Sequence, residues 1–362
     1  MLTTRRVRWA LAVPLALGVA HTTDAAAAGA ADHAVVLVYH HVSDRTPPST
    51  SVTPAVFETH LDYLARSDFT VLPLSEVIQA LATGRPLPAR AVALTFDDAY
   101  VSVYREALPR LERRGWPFTV FVATDSIDRG YGSYMSWDEL RDLERRGGTV
   151  GNHSRDHGHL VRREPGESEP AWRRRVREGI VGAQARLEGE LDNPLKVLAY
   201  PYGEFDAPLE RLVEEVGYVA FGQQSGPVGR DSDRRSLPRF PVATGFADLD
   251  SLADKLRSRP LPVEVLAPAD RILGPASPPP ELRLRIPEGP YRRAEMSCFV
   301  SGQPPATVEW RGDVATVRAQ KPLGPGRSKY NCTAPSSAES GVFHWYSHLW
   351  IQPNDDGTWY SE

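Results

Sequence analysis

Histidine, aspartate and tyrosine side chains occur at four places where a short apolar run ends. The four places are His40 with His41, Asp97 with Asp98, His153 with His157, and Tyr202. Two histidines and one aspartate form a ligand set for a divalent metal that leaves coordination positions open for water and substrate. A second, adjacent carboxylate suits a general base that works beside the metal. The chemistry indicated is hydrolysis assisted by a metal ion.

Each cluster also has an ordinary structural interpretation. An aspartate pair after a strand is often a helix N-cap, and two loop histidines four residues apart are often surface residues. The spacing of His153 and His157 also matches the HExxH helix of metalloproteases. However, Ser154 replaces the glutamate of that motif, and Gly151 and Gly158 flank the pair and favour a loop.

The apolar runs that precede these clusters predict strands that are buried on both faces. They are rich in β-branched and aromatic residues, and helical signals lie between them. Thr53 with Pro54 and Ser136 with Glu139 are typical of helix N-termini. Strand and helix alternate about seven times, so the strands are parallel and form either a closed barrel or a doubly wound sheet. The runs are residues 35–39, 70–72, 92–96, 118–122, 149–151, 197–200 and 218–221. Polar residues just past the carboxyl ends of such strands share one face, where parallel α/β barrels place their active sites.

Composition excludes several classes of protein. The chain has 362 residues, 41% of them hydrophobic and 24% charged, which is typical of a globular protein of about two domains. A net charge of −4 provides no general attraction for nucleic acid, and the absence of a Gly-rich phosphate loop after any strand disfavours nucleotide binding. Two cysteines are too few for a thiolate zinc cluster.

Residues 1–28 have the layout of a secretory signal peptide. Arg5, Arg6 and Arg8 precede an apolar stretch at residues 9–20, and small residues follow at 25–28. The alternative is an uncleaved membrane anchor, although the stretch is short for a span and Pro14 interrupts it. We expect a secreted or periplasmic protein with no membrane span in the mature chain.

The pattern changes near residue 257. Residues 257–281 are rich in proline and predict a semi-rigid linker. Residues 282–362 show short alternating runs separated by Gly, Pro, Asn and Asp, which predicts a small all-β domain. The barrel domain is then residues 34–256.

Three motifs resemble those of the polysaccharide deacetylases, carbohydrate esterase family 4 or the NodB homology domain. Residues 95–98 (TFDD) resemble the first motif, residues 151–157 (GNHSRDH) the second, and residues 199–203 (AYPYG) the third. The resemblance covers residues 34–256 and implies a distorted (β/α)7 barrel. It also implies that Asp97 is the catalytic base and that the backbone N–H of Tyr202 forms part of an oxyanion hole. The implied ligands of a divalent metal, usually zinc, are Asp98, His153 and His157.

The sequence departs from the commonest family pattern in two places. The arginine usual before the third motif is absent, and residues 237–242 lack the late histidine that acts as the general acid. The motif around Tyr39 and His40 instead resembles exported poly-β-1,6-N-acetylglucosamine deacetylases, in which such a histidine takes the acid role. His40 is therefore the candidate acid, and Arg239 is the candidate residue that holds Asp97. His41 and His159 are expected to be bystanders.

In the C-terminal region, Cys298 and Cys332 bracket Trp310, and Tyr330 precedes the second cysteine by two residues. This order resembles an immunoglobulin-like sandwich and implies its core disulfide. Aromatic residues near the end of the chain are candidates either for a sugar-stacking platform or for the domain core: Trp345, Tyr346, Trp350, Trp359 and Tyr360.

The function that this resemblance implies is removal of N-acetyl groups from a polysaccharide that contains N-acetylglucosamine. The expected partner is that acetylated polysaccharide, without nucleic acid, and the protein is expected to be a monomer. Two alternatives remain open. One is an esterase that removes O-acetyl groups from xylan or a similar polymer, and the other is a catalytically silent carbohydrate-binding protein.

Overall fold

The computed structural model describes residues 30–361. Within this range, a curled nine-stranded sheet has helices outside it, and seven of its strands run parallel and form the barrel. The strands are β1 (His33–Tyr39), β2 (Ala91–Phe96), β3 (Phe118–Val122), β4 (Gly148–Asn152), β5 (Leu195–Ala199), β6 (Val219–Phe221) and β7 (Phe240–Pro241). The helices are α1 (Pro54–Arg66), α2 (Leu74–Thr83), α3 (Leu108–Glu112), α4 (Thr124–Asp128), α5 (Trp137–Arg145), α6 (Glu169–Glu190), α7 (Ala207–Glu215) and α8 (Leu249–Arg257). The predicted signal peptide, residues 1–28, lies outside the described residues.

The seven barrel strands run in the order β6-β5-β4-β3-β2-β1-β7, and the short strand Val228–Gly229 also pairs with the beginning of β1, in antiparallel orientation. The gap between the two ends of the sheet is bridged by the segment at residues 237–241. Leu237 forms a parallel bridge with Phe221 next to β6, and Phe240 pairs with Leu37 in β1. This closure makes the sheet a distorted (β/α)7 barrel and confirms the predicted fold.

One of the seven predicted strands is shorter than expected and is not one of the seven barrel strands. Residues 70–72 contribute only a two-residue strand, Thr70–Val71, which pairs with the beginning of β2. The seventh barrel strand is Phe240–Pro241, which is too short to show an apolar run in the sequence. It is held instead by backbone bonds on both sides, such as Val242 N–H to the Val38 carbonyl oxygen at 2.9 Å.

Local sequence signals explain where the helices begin. The Thr53 side chain accepts a bond from Val56 N–H, and Pro54 stands at the first turn of α1. Ser136 and Glu139 form the reciprocal bonds of a capping box at the start of α5. The strands of the barrel are buried along nearly their whole length, as parallel strands covered by helices must be.

The C-terminal region is a sandwich of two four-stranded sheets. One sheet has the order β8-β15-β14-β11 and the other the order β9-β10-β13-β12. Their strands are β8 (Arg259–Pro260), β9 (Glu264–Ala267), β10 (Glu281–Arg285), β11 (Ser297–Val300), β12 (Thr307–Arg311), β13 (Val314–Arg318), β14 (Gly326–Pro335) and β15 (Phe343–Gln352). Residues 257–281, expected to be a linker, therefore contribute β8 and β9 to the sandwich, because their backbone groups pair with β15 and β10.

The predicted disulfide between Cys298 and Cys332 forms, but its place differs from that in an immunoglobulin domain. The two cysteines are direct cross-strand partners on β11 and β14, so the bond lies within one sheet rather than between the two. The link between the sheets comes from Tyr330 instead. Its hydroxyl donates to the Pro280 carbonyl oxygen at 2.7 Å and accepts from Ala319 N–H at 3.0 Å.

The sandwich and the barrel share a buried apolar cluster. Leu349 and Ile351 from β15 and Tyr360 near the end of the chain pack with barrel residues that include Tyr200 and Phe205. The Trp345 ring meets the Phe240 ring edge-on at 5.0 Å between centroids. The late aromatic residues therefore serve the core and the contact between the modules, which argues against an exposed sugar-stacking platform.

Among residues 30–361, none of the helices combines the length and the hydropathy that a membrane crossing requires.

Candidate active site

The carboxyl ends of four barrel strands position the predicted chemistry. His40 follows β1, Asp97 and Asp98 follow β2, and His153 follows β4. Tyr202 lies in the turn Pro201–Gly203 just after β5. Parallel strands end on the same side of the barrel, so side chains far apart in the sequence meet at one mouth.

The three predicted metal ligands do meet. Oδ1 of Asp98 lies 3.3 Å from Nε2 of His153 and 3.1 Å from Nε2 of His157. Their ligand atoms all lie within 4.8 Å of one another, and they form the one group of this kind found among the described residues. Asp98 and His153 are buried, whereas His157 is partly exposed, so the cluster opens toward solvent on one side.

The surroundings prepare these atoms to hold a cation. Nδ1 of His153 donates to the Ala199 carbonyl oxygen at 2.8 Å, which leaves the lone pair of Nε2 directed at Asp98. Two imidazole lone pairs and a carboxylate oxygen at this distance repel one another unless a positive charge lies among them. Without a metal, that positive charge would come from protons on the imidazoles: burial by itself would raise the pKa of Asp98, but bonds donated by protonated His153 and His157 hold that pKa well below its ordinary value. The donor set therefore fits a divalent metal.

The loop that carries the histidines is fixed by Asn152 and Ser154. Asn152 Oδ1 accepts from Ser154 N–H at 2.8 Å, and its Nδ2 donates to the Ile180 carbonyl oxygen at 2.9 Å. Ser154 Oγ then accepts from His157 N–H at 3.2 Å. Ser154 and His157 both adopt a positive φ, which explains why residues 153–157 form a loop and not the helix of an HExxH site.

Asp97 lies beside this cluster and is held by Arg239, as predicted. The guanidinium donates to both carboxylate oxygens, at 2.7 and 2.8 Å, and neither side chain has solvent exposure. Arg239 also donates to Thr95 Oγ1 and to the Gly222 carbonyl oxygen. Burial alone would raise the pKa of Asp97, but Arg239 and His153 outweigh it and lower that pKa below its ordinary value. Asp97 is thus an ionised carboxylate in a fixed orientation.

The two adjacent histidines after β1 differ in their surroundings. His40 is partly exposed, and it directly follows Tyr39, whose carbonyl oxygen accepts from Asp97 N–H at 2.9 Å, so His40 lies next to the candidate base. His41 stacks on the Tyr100 ring at 3.6 Å between centroids, and burial lowers its pKa to about 4. The geometry therefore favours His40 over His41 as a group that can exchange a proton near Asp97.

The Tyr202 turn has an unusual backbone. Tyr202 has a φ of 58°, in the left-handed region that glycine favours. At Gly203, which follows with a φ of 69°, a Cβ atom would lie 2.9 Å from the backbone nitrogen of Gln223, so only glycine fits. The Tyr202 ring stacks on His159 at 3.9 Å and meets His157 edge-on at 4.6 Å. The turn is thereby attached to the loop that carries the candidate metal ligands His153 and His157, the metal-ligand loop.

Sequence reasoning missed several residues at this mouth. Gln223 Nε2 lies 3.4 Å from Asp97 Oδ2, and burial together with the nearby Asp98 carboxylate raises the pKa of Tyr100. Both come just after the carboxyl ends of barrel strands, so the rule that located the other site residues would have located these two. His159, expected to be a bystander, contacts Tyr202 and also lies 2.8 Å from Glu204. No local sequence motif indicates that His159 and Glu204 contact each other.

The model of the polysaccharide deacetylase family matches residues 84–221. This match contains both aspartates, both histidines and the Tyr202 turn. Residues 84–221, which span β2 to β6 of the barrel, are therefore part of a polysaccharide deacetylase domain. The deacetylase family is one of hydrolases, and in this chain the matched region is the part of the barrel that carries the candidate metal site.

Known proteins similar to this chain agree with that assignment. YxkH of Bacillus subtilis strain 168, whose name also describes a polysaccharide deacetylase, is 24% identical over 213 residues, 59% of this chain and 72% of YxkH. The poly-β-1,6-N-acetyl-D-glucosamine N-deacetylase of Escherichia coli strain K12 is 23% identical over 246 residues, 58% of this chain. The match spans only 36% of the Escherichia coli protein.

Solved structures show the same fold. IcaB from Ammonifex degensii superimposes with a TM-score of 0.55 and 26% sequence identity, covering 62% of this chain and 97% of IcaB. The deacetylase domain therefore carries the architecture of the family, and the C-terminal sandwich lies beyond the matched family region.

Proposed function

We propose that this protein is a secreted, metal-dependent hydrolase that removes N-acetyl groups from a polysaccharide containing N-acetylglucosamine. The observation that carries the proposal is the Asp98, His153 and His157 cluster with the ionised Asp97 beside it at the barrel mouth. Support for the substrate class comes from the similarity to the Escherichia coli N-deacetylase named above.

Asp98, His153 and His157 would hold the metal, which we propose to be zinc because two imidazoles and one carboxylate suit that ion. A divalent metal bound there would supply Lewis acidity toward a carbonyl oxygen and lower the pKa of water. His153 is held in the required tautomer by its bond to the Ala199 carbonyl oxygen.

Asp97 would act as the general base that accepts a proton from the attacking water. This role requires an ionised carboxylate, and Arg239 keeps Asp97 ionised by occupying both of its oxygens. Each carboxylate oxygen has a second lone pair, so the pair with Arg239 leaves Asp97 able to accept a proton. Arg239 would then be a positioning residue rather than a participant in the reaction.

His40 and Tyr202 would complete the reaction. The backbone N–H of Tyr202, set by the left-handed turn, would donate to the substrate carbonyl oxygen as negative charge develops there. His40 would protonate the departing amine, because an amine anion is a very poor leaving group. The products are acetate and a free glucosamine unit.

We also propose export, with a signal peptide at residues 1–28, a deacetylase domain at residues 34–256 and an all-β domain at residues 282–362. The observed disulfide is consistent with an oxidising compartment. The all-β domain would include the two strands contributed by residues 257–281.

Acetate release tests the function directly. The wild-type protein is incubated with oligomers of β-1,6-linked N-acetylglucosamine and, separately, with acetylxylan. We expect release from the first substrate, and a loss of about 10²–10⁴-fold in turnover for Asp97→Asn with bound metal retained. Release from acetylxylan alone would favour the O-acetyl esterase, and release from neither would favour a silent carbohydrate-binding protein.

A further inference from the structure

Strand β14 of the C-terminal sandwich directs two cationic side chains at the mouth of the barrel. Arg327 and Lys329 are two residues apart and so lie on the same face of the strand. Arg327 Nη1 donates to Glu204 Oε1 at 3.1 Å, and Lys329 Nζ donates to the Gln223 carbonyl oxygen at 2.6 Å. The two barrel residues belong to the site already described, because Glu204 follows the Tyr202 turn and Gln223 contacts Asp97.

Glu204 of the barrel forms an ion pair with Arg327 of the C-terminal sandwich. Its side chain has no solvent exposure, yet burial does not keep it neutral. Burial alone would raise the pKa of Glu204, but bonds with His159 and Tyr360 and the charge of Arg327 lower it. Tyr360 and Arg327 come from the C-terminal sandwich, and His159 comes from the metal-ligand loop. A buried carboxylate held from both modules has little freedom to move.

This anchoring bears on the Tyr202 turn. A left-handed conformation is unfavourable for tyrosine and persists only where surrounding contacts impose it. Glu204 N–H closes the turn by donating to the Pro201 carbonyl oxygen at 3.2 Å, so a displaced Glu204 would open it. Arg327 contacts the turn a second time, with its guanidinium carbon 5.4 Å from the centroid of the Tyr202 ring.

We infer that the C-terminal sandwich is part of the catalytic unit, with Arg327 as a positioning residue that holds the Tyr202 turn through Glu204. This inference rests on the proposed function, in which the Tyr202 N–H stabilises the developing oxyanion. Arg327 acts on the turn through its bond to Glu204 and its contact with the Tyr202 ring. Its loss should therefore lower kcat while the Michaelis constant and bound metal stay unchanged.

The test compares Arg327→Ala with Arg327→Lys and with a matched control in the full-length protein. Removal of an oxyanion donor costs about 10²–10³-fold in kcat, so a displaced donor should cost about 10- to 10²-fold. Arg327→Lys keeps a cation for Glu204 and should recover part of the loss. The control is Arg318→Ala, because Arg318 lies in the same sandwich and pairs with Glu281 on the exposed side.

Three results would overturn the inference. They are an unchanged kcat in Arg327→Ala, an equal loss in Arg318→Ala, and a loss in Arg327→Ala that comes with loss of bound metal. If the wild-type protein releases no acetate, the proposed function fails, and hydrogen exchange of residues 200–205 decides the positioning role separately. Faster exchange there in Arg327→Ala than in Arg318→Ala supports the role, and equal exchange refutes it.

Discussion

Replacing Arg239 with methionine isolates the contribution of the buried ion pair at the base of the site. Arg239 and Asp97 have no solvent exposure, and two hydrogen bonds of 2.7 and 2.8 Å join them. Methionine keeps an unbranched side chain that can pack near Phe121, whose ring centroid lies 5.3 Å from the guanidinium carbon. The substitution therefore removes the charge and its bonds while leaving the volume largely filled.

The expected loss of unfolding free energy follows from the unpaired Asp97 carboxylate that the substitution leaves in the core. Loss of one partner of a buried pair leaves an uncompensated carboxylate, which typically costs about 3–5 kcal/mol of unfolding free energy. Removing the second charge as well, in Asp97→Asn with Arg239→Met, should restore at least half of that loss, because no unpaired charge then remains. In contrast, Arg285→Met removes exposed ion pairs with Glu264 and Asp313 and should cost less than about 1 kcal/mol.

Urea unfolding in the presence of a chelator measures these differences, since a bound metal would partly compensate the carboxylate. The four proteins are the wild type, the single variant, the double variant and the Arg285→Met control. A cost below about 1 kcal/mol for Arg239→Met would refute the reasoning, as would a double variant no more stable than the single one. Either result would mean that the two charges do not depend on each other in the folded protein.

Three further predictions concern other parts of the site and the fold. His153→Ala removes a buried ligand, so metal affinity should fall at least about 10²-fold, and full occupancy after dialysis would remove the proposed metal site. His40→Ala should abolish most deacetylation of N-acetylated sugar yet spare much of the hydrolysis of an aryl acetate, whose leaving group needs no proton. The control His33→Ala, at the opposite end of β1, should change neither of these two activities. Equal losses on both substrates in His40→Ala would indicate a packing role for His40. Burial raises the pKa of Asp206 to about 6, so the charged form of Asp206 opposes folding above that pH. Asp206→Asn should therefore raise the melting temperature at pH 7, and this gain should fade as the pH falls from 6 toward 4. A gain that stays constant with pH would contradict this prediction.

The sequence alone was sufficient to place the candidate metal ligands at strand ends and to predict buried parallel strands, and the resemblance to the family indicated the barrel. Asp98, His153 and His157 stand directly after predicted strands, and the end of a parallel strand places a side chain at the mouth whatever the rest of the fold does. The buried strands could be recognised because their apolar runs are nearly continuous, and the helix starts because Thr53 and Ser136 bond to backbone only three residues away. All of these features depend on residues that are close together in the chain, so the local spacing of residue types is enough to predict them.

The tertiary structure decided what spans long distances in the chain. It closed the barrel through Phe240–Pro241, which has almost no pattern of its own, and placed the disulfide within one sheet rather than between two. It also brought Arg327 of the sandwich to Glu204 of the barrel, 123 residues apart. Such contacts depend on how two modules dock, and docking follows from the summed packing of many side chains rather than from any motif. For that reason the metal ligands can be recognised in the sequence, whereas the residues that hold the Tyr202 turn in place cannot.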